Sequence, residues 1–366
     1  MRTIRIGHRL LIKGELSKPY LIAEAGVNHE GSVEKAKLMI EQAAQAGADA
    51  IKFQTYKAEK LASRFSPAYW DTSKEPIRTQ YELFKKHDQF GRNEFVTLAE
   101  YAHSCGIDFL STPFDFEAVD LLEDLVPAYK VASADITNYP LLRYIASKGK
   151  PILLSTGAST ISEIYQALDV ITEEGNDQVA VLHCVLNYPT SVENANLGMI
   201  WHMSRVFPDY VVGYSDHTTP EFSTDILLIS WLLGAQVIEK HFTFDKSLPG
   251  NDHYHAFDEA DFRAFQNRLE FALSVMGNFK KGYLPEEEAS RLNARRSLVA
   301  ARAIKKGKRL RRQDIAIKRP GTGIPPLLLE YVVGAEALRD IKEDEVIGFD
   351  AIRFASPKGR GSEYVG

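Results

Sequence analysis

The sequence predicts a (β/α)8 barrel followed by a small β-rich domain. Three observations carry this expectation. Eight short apolar runs recur along the first 240 residues. Segments of helical periodicity separate them. Nearly every run ends in a polar, chemically capable residue, as expected where strand tips build the active face of a barrel.

The runs fall at residues 20–25, 50–53, 107–111, 128–132, 152–155, 179–182, 210–213 and 236–239. Apolar on both faces and alternating with helices, they read as a parallel sheet. Eight of them favour a closed barrel over an open doubly wound sheet, and no GxGxxG follows the first run, which argues against a dinucleotide fold. Helical spacing marks residues 32–46, 93–104, 116–125, 162–172 and 221–233. Several of these segments stop at a glycine (Gly47, Gly106, Gly234) that leads directly into the next run, the usual exit from a helix. Residues 258–276 read as the closing helix. Residues 278–293 are a charged linker containing Pro and Gly. From Ala294 onward, short strands and tight turns such as Ile304-Lys305-Lys306-Gly307 suit a domain of about 60 residues, a size that has difficulty supporting its own core. That domain is expected to lean on the barrel or on a second subunit. The expected domains are a catalytic barrel at 1–277, the linker at 278–293, the small domain at 294–354 and a frayed, Gly/Ser/Lys-rich tail at 355–366.

Composition narrows the function. Of 366 residues, 45% are hydrophobic and 25% charged, the balance of a soluble globular protein. The net charge of −5, from 49 acidic and 44 basic residues, asks for neither nucleic acid nor an anionic membrane. Two cysteines, Cys105 and Cys184, exclude a disulfide framework and a cysteine-rich zinc site. They fit a reducing compartment, so a cytoplasmic location is expected. Residues 1–13 lack the long apolar stretch of a signal peptide, and no run approaches a membrane span.

The strand tips supply the chemistry. In chain order they present Glu24, Asn28 and His29; Lys52 and Gln54; Ser111 and Thr112; Lys130, Ser133 and Asp135; Ser155 and Thr156; His183, Asn187 and Tyr188; Ser215, Asp216 and His217; and Glu239 and His241, followed by Asp252 and His253. Two strand-end lysines, Lys52 and Lys130, with hydroxyl-bearing neighbours make a pocket for a small, multiply charged oxyanion, or else each pairs with a local carboxylate. A phosphate plus a carboxylate is the natural guest. His217 and His241, from consecutive strands, suit a divalent ion such as Mn²⁺, Co²⁺ or Zn²⁺, and more weakly Mg²⁺, with Glu24 and Asp216 completing or orienting the site. The other reading is hydrogen-bonded or acid–base histidines. His183 reads as a packing residue or one that supports the site from behind, and Cys184 as a buried small side chain rather than a nucleophile, since no proton-relay partner is assignable. The loop 250–255 either closes over a polyhydroxylated ligand, with Asp252 accepting hydroxyl hydrogen bonds, or is solvated. The long aromatic stretch 70–86 is either a lid or an oligomer contact.

Taken together, these residues are recognisable. Ala23-Glu24-Ala25-Gly26-Val27-Asn28-His29, Lys52-Phe53-Gln54, Ser111-Thr112-Pro113-Phe114, Ser155-Thr156-Gly157, His183-Cys184 with Asn187-Tyr188-Pro189-Thr190, Gly213-Tyr214-Ser215-Asp216-His217 and Glu239-Lys240-His241-Phe242-Thr243 resemble the sialic acid synthase family, which includes the N-acetylneuraminate, legionaminic and pseudaminic acid synthases. The resemblance runs from about residue 18 to 354 and implies an antifreeze-like (SAF) domain at the end of the chain. It implies condensation of phosphoenolpyruvate with the open-chain aldehyde of an N-acetylated hexosamine, such as N-acetylmannosamine or a diacetamido analogue, with release of phosphate. By the same resemblance, Lys52, Thr112, Lys130, Ser133, Ser155, Asn187 and Ser215 hold phosphoenolpyruvate, and Gln54, Tyr188 and Asp252 contact the sugar. His217 and His241 bind the metal, typically manganese or magnesium. A homodimer is implied, in which Arg319 of the SAF domain reaches the N-acetyl group in the partner's barrel. Glu24 is the candidate for positioning or deprotonating the attacking water; its other role is a hydrogen bond to the sugar or to a metal-bound water.

Two other readings stand beside this one. Another phosphoenolpyruvate-dependent barrel synthase, acting on a phosphorylated sugar, needs a further basic cluster, for which Arg78 and Arg92 are the candidates. A non-catalytic sugar-binding protein would not need the lysine and histidine set.

Overall fold

The computed structural model describes residues 3–70, 72–250 and 252–354; the expected tail at 355–366 lies outside the described residues. The chain divides into two compact units, Met1–Gly277 and Asn278–Gly366.

The first unit opens with an antiparallel hairpin, β1 (Thr3–Ile6) and β2 (Arg9–Ile12). Eight parallel strands follow: β3 (Tyr20–Gly26), β4 (Ala50–Thr55), β5 (Asp108–Pro113), β6 (Tyr129–Val131), β7 (Ile152–Ser155), β8 (Val179–Cys184), β9 (Val211–Asp216) and β10 (Val237–His241). Their hydrogen-bonded order is β5-β4-β3-β10-β9-β8-β7-β6. The first of the eight therefore pairs with the last, and the sheet rolls up until its end strands, β5 and β6, pack side by side. This is the expected barrel, nearly closed. Helices α1 (Val33–Gln45), α2 (Ala58–Leu61), α3 (Gln80–His87), α4 (Arg92–Ser104), α5 (Phe116–Leu122), α6 (Tyr139–Ser147), α7 (Ile161–Glu173), α8 (Gly198–Val206), α9 (Pro220–Leu232) and α10 (Glu259–Met276) connect and surround the strands. Local signals set their ends. Ser32 caps α1 by accepting from the Lys35 N–H, and Thr160 and Glu163 cap α7 reciprocally. Among the described residues no helix is long and apolar enough to cross a membrane.

Alternation along each strand sorts the side chains into two cores. Leu21, Ala23, Ile51, Phe53 and Val181 face the helices. Tyr20, Ile22, Ala50, Leu110, Leu153, Ala180, Leu182, Val211 and Val237 fill the barrel interior, where Ile4, Ile6 and Leu11 of the hairpin join them. The hairpin thus plugs the amino-terminal mouth, a role the sequence reading did not assign. Gly213 takes an interior position where a Cβ would stand 2.6 Å from the Val237 carbonyl oxygen. Its backbone allows β9 and β10 to approach.

Several strands run further than their apolar runs, because the last residues are polar but still paired. Gln54 pairs with Thr112, Cys184 with Ser215, and His241 with Glu24. The chemically capable residues therefore sit on the rigid barrel wall rather than in loops.

The second unit contains α11 (Glu288–Ala294), which occupies the end of the segment read as a linker. It then forms β11 (Ser297–Ala300) and β12 (Ile315–Lys318), paired antiparallel, α12 (Leu329–Val332), and the short pair β13 (Glu336–Ala337) and β14 (Ile352–Arg353). Despite its size it encloses its own core, with Leu298, Ile304, Leu310, Ile324, Val332 and Ile347 among the buried residues.

Candidate active site

Inward parity places the chemistry. Starting from the apolar interior, each step of two residues toward the carboxyl end reaches a polar side chain: Ile22 to Glu24, Ala50 to Lys52 and Gln54, Leu110 to Thr112, Leu153 to Ser155, Gly213 to Ser215 and His217, and Val237 to Glu239 and His241. These residues line a cavity of about 700 Å³ in the first unit, together with Lys130, Ser133, Cys184, Tyr188 and Asp252. That size suits a small ligand.

At the centre, Lys52 Nζ lies 2.6 Å from Glu24 Oε2 and 3.8 Å from Glu239 Oε1, and it donates to Thr112 Oγ1 at 3.2 Å. Lys130 Nζ lies 3.4 Å from the same Glu239 oxygen, which also accepts from Ser215 Oγ at 3.0 Å. Gln54 Nε2 donates to Glu24 Oε1 at 3.3 Å. All four charged groups are buried. Burial pushes the Glu24 carboxyl up to about 7, the Lys52 ammonium opposing and the Glu239 carboxylate reinforcing the shift. Burial acts the same way on Glu239, but Lys130 and Lys52 outweigh it and hold its carboxyl below the ordinary value. Burial lowers the Lys130 ammonium, against the pull of Glu239. The result is one firm carboxylate, two lysines and one carboxyl poised near neutrality. Ser155 Oγ is buried with no hydrogen-bond partner among the described residues.

His217 Nδ1 lies 2.7 Å from the Val185 carbonyl oxygen, which fixes the ring and leaves Nε2 as the donor atom for a ligand. The His217 and His241 ring centres are 5.3 Å apart. Burial, followed by His255 and His217, drives the His241 imidazole well below its ordinary value, so it stays neutral and ligand-ready. Its Nδ1 is buried without a hydrogen-bond partner among the described residues and lies 3.9 Å from Asp252 Oδ2. His241, Asp252 and His255 bring metal-donor atoms within 4.8 Å of one another. Two imidazoles and a carboxylate suit a divalent cation.

Of the residues expected in the site, all line the cavity except Asn187, Asp216 and Arg319. Asn187 is exposed in the turn after β8, where its N–H bonds the Val185 carbonyl. Arg319 is exposed and belongs to the second unit. Asp216 has the wrong parity for the site. It points toward the helices, where it is locked by Lys240 Nζ at 2.8 Å, Thr218 Oγ1 at 2.9 Å and Ser223 Oγ at 3.0 Å. His183 has the same outward parity, stacks on Tyr214 and places Nε2 2.8 Å from the Ala195 carbonyl oxygen. Glu239 and His255 were given no role in the sequence reading. Glu239 was legible, two residues before His241 on the same strand face. The only trace of His255 was its closeness to Asp252.

The stretch 70–86 forms cavity wall. Trp70 is buried, and its Nε1 donates to the carbonyls of Glu75 and Ile77. Glu75 and Lys86 line the same wall and pair at 3.3 Å. Arg78 and Arg92 are exposed and do not line the cavity. In the loop 250–255, of which Asn251 lies outside the described residues, His253 Nδ1 is 2.7 Å from Thr243 Oγ1.

A nearly closed parallel barrel that gathers buried lysines, carboxylates and imidazoles at the carboxyl ends of its strands is an enzyme fold with a site for a small anionic substrate. Comparisons with known proteins place the chain in a family of enzymes. Residues 39–281 match the NeuB family and residues 295–353 the SAF domain. The chain is 41% identical over 351 residues to an uncharacterised protein of Methanocaldococcus jannaschii, covering 96% of this chain and 98% of that one. It is 37% identical over 333 residues to the N,N'-diacetyllegionaminic acid synthase of Legionella pneumophila, covering 88% and 91%. The crystal structure of the N-acetylneuraminic acid (sialic acid) synthetase of Leptospira borgpetersenii in complex with citrate matches with a TM-score of 0.68 at 32% identity, covering 79% of this chain and 95% of that one. The chain belongs to the NeuB family and is an enzyme of that family.

Proposed function

We propose that this enzyme is a nonulosonic (sialic) acid synthase. It condenses phosphoenolpyruvate with an open-chain N-acetylated hexosamine and water, and releases phosphate by C–O cleavage. The observation that carries this reading is the pair of buried lysines, Lys52 and Lys130, converging on Glu239 within 3.8 Å and 3.4 Å in one cavity with the two histidines. The similarity to a named legionaminic acid synthase supports it.

Lys52 and Lys130, with Thr112, Ser133, Ser155 and Ser215, bind the phosphate and carboxylate of phosphoenolpyruvate, and the unpartnered Ser155 hydroxyl is a ready donor. His217 and His241, with ring centres 5.3 Å apart, would hold a divalent cation; the described donor atoms that cluster within 4.8 Å are those of His241, Asp252 and His255, without His217. Mn²⁺ is the first choice, Mg²⁺ or Co²⁺ the alternatives. When bound, it supplies Lewis acidity toward the sugar aldehyde. Carbon 3 of phosphoenolpyruvate forms the new bond to the aldehyde carbon. The aldehyde oxygen takes up a proton and becomes a hydroxyl. Water adds at carbon 2 and gives the balancing proton to Glu24, whose carboxyl at about 7 is matched to that exchange. The resulting hydroxyl-bearing carbon 2 breaks its bond to the phosphate oxygen, forming the ketone as the remaining water proton leaves with phosphate. The lysines neutralise the departing phosphate. Gln54, Tyr188 and Asp252 hold the sugar, and in a homodimer Arg319 of the partner subunit contacts its N-acetyl group. An unphosphorylated sugar fits better than a phosphorylated one, because Arg78 and Arg92 lie outside the cavity and Lys86 is tied to Glu75.

Phosphate release should require phosphoenolpyruvate, an N-acetylated hexosamine and a divalent cation together. N-acetylmannosamine and 2,4-diacetamido-6-deoxyhexoses are the sugars to assay. His241→Ala should abolish both turnover and Mn²⁺ binding while leaving the circular dichroism spectrum unchanged. Full turnover after chelation, or in His241→Ala, would remove the metal from the mechanism.

A further inference from the structure

One polar group in the cavity wall has no hydrogen-bond partner among the described residues and no role in the chemistry described above. Tyr56 follows the last residue of β4, lines the cavity and is only 7% exposed. Its ring is wedged edge-on between Phe84 of α3, at 5.4 Å, and Phe114, just past β5, at 5.8 Å. Both neighbours also line the cavity. The ring is therefore fixed by packing, yet the phenolic oxygen is buried without a hydrogen-bond partner among the described residues. Burying a hydroxyl in this way is costly unless a ligand completes it. A phenol can both donate and accept, so it can pair with a sugar hydroxyl or with an acetamido group.

The surroundings narrow the class of ligand. The carboxylate of Asp252 lies close enough to reinforce the upward shift that burial imposes on the Tyr56 phenol. The other lysine of the cavity wall, Lys86, is engaged by Glu75. Resting on the synthase reading above, we propose that Tyr56 is a specificity-determining residue: its hydroxyl hydrogen-bonds a polar substituent of an uncharged N-acetylated amino sugar held against the Tyr56–Phe84–Phe114 wall.

Tyr56→Phe tests this while preserving the ring and its packing. The Michaelis constant for the best N-acetylated hexosamine should rise about tenfold, equivalent to about 1.4 kcal/mol. The constant for phosphoenolpyruvate and kcat should stay within about twofold. A purely structural tyrosine would move neither constant, so an unchanged sugar constant overturns the proposal, as does an equal rise for phosphoenolpyruvate. Wild-type preference for N-acetylmannosamine 6-phosphate over N-acetylmannosamine would overturn the assignment to an uncharged sugar. If the wild-type enzyme releases phosphate with none of these sugars, the synthase reading fails, and this proposal fails with it.

Discussion

Glu24 shows how one residue's surroundings decide its chemistry. It is buried beside Lys52 and shares the interior with Glu239, and the balance leaves its carboxyl at about 7. Its basic form therefore grows as pH rises through neutrality. With Glu24 as the base for the attacking water, kcat/KM should climb between about pH 6 and 8 and then level. Glu24→Gln should lower kcat by about 100-fold or more and flatten that rise. An unchanged pH profile in the variant would assign the titration to another group. Much of this neighbourhood was legible in the sequence, because a polar residue closing an apolar run announces a strand tip. Which way it points was not legible from residue type alone. Asp216 and Ser215 are neighbours with opposite faces, and one residue of parity sends the carboxylate to Lys240 and the hydroxyl to Glu239. The roles of Tyr56 and His255 were not legible, because each depends on contacts between distant segments: Tyr56 with Phe84 and Phe114, and His255 with His241.

The elements divide in the same way. The eight strands and the long helices follow from periodicity and glycine stops, which are local. The hairpin β1–β2 and helix α3 have weak local signals and are fixed by what they touch. Ile4, Ile6 and Leu11 find their partners in the barrel interior, and Trp70 holds the segment before α3 by bonds to Glu75 and Ile77. The hairpin closes the mouth opposite the cavity, where a barrel stores stability rather than chemistry. Ile6→Ala, at a fully buried position, should cost about 2–5 kcal/mol. That loss should appear as a lower urea midpoint with the Michaelis constants of both substrates unchanged. A catalytic defect in a variant of undiminished stability would mean that the plug communicates with the active face.

At the scale of the whole molecule, barrel and appended domain were legible in the sequence because the character of the chain changes after the closing helix. A partner subunit is not legible in composition or periodicity. It entered only through the family resemblance and the small size of the second unit. That unit proves to have a core of its own, so folding alone does not require it to lean on another surface. Arg319, exposed within it, makes the assembly testable. If each site joins one subunit's barrel to the other's Arg319, two inactive variants should rescue each other. Lys130→Ala disables the barrel and Arg319→Ala disables the contact. After subunit exchange between equal amounts, half of the dimers are mixed, and each mixed dimer carries one intact site. A twofold-symmetric assembly thus predicts about a quarter of wild-type activity per protomer. A chain that completes its site alone, or that stays monomeric in sedimentation, gives no rescue at any ratio.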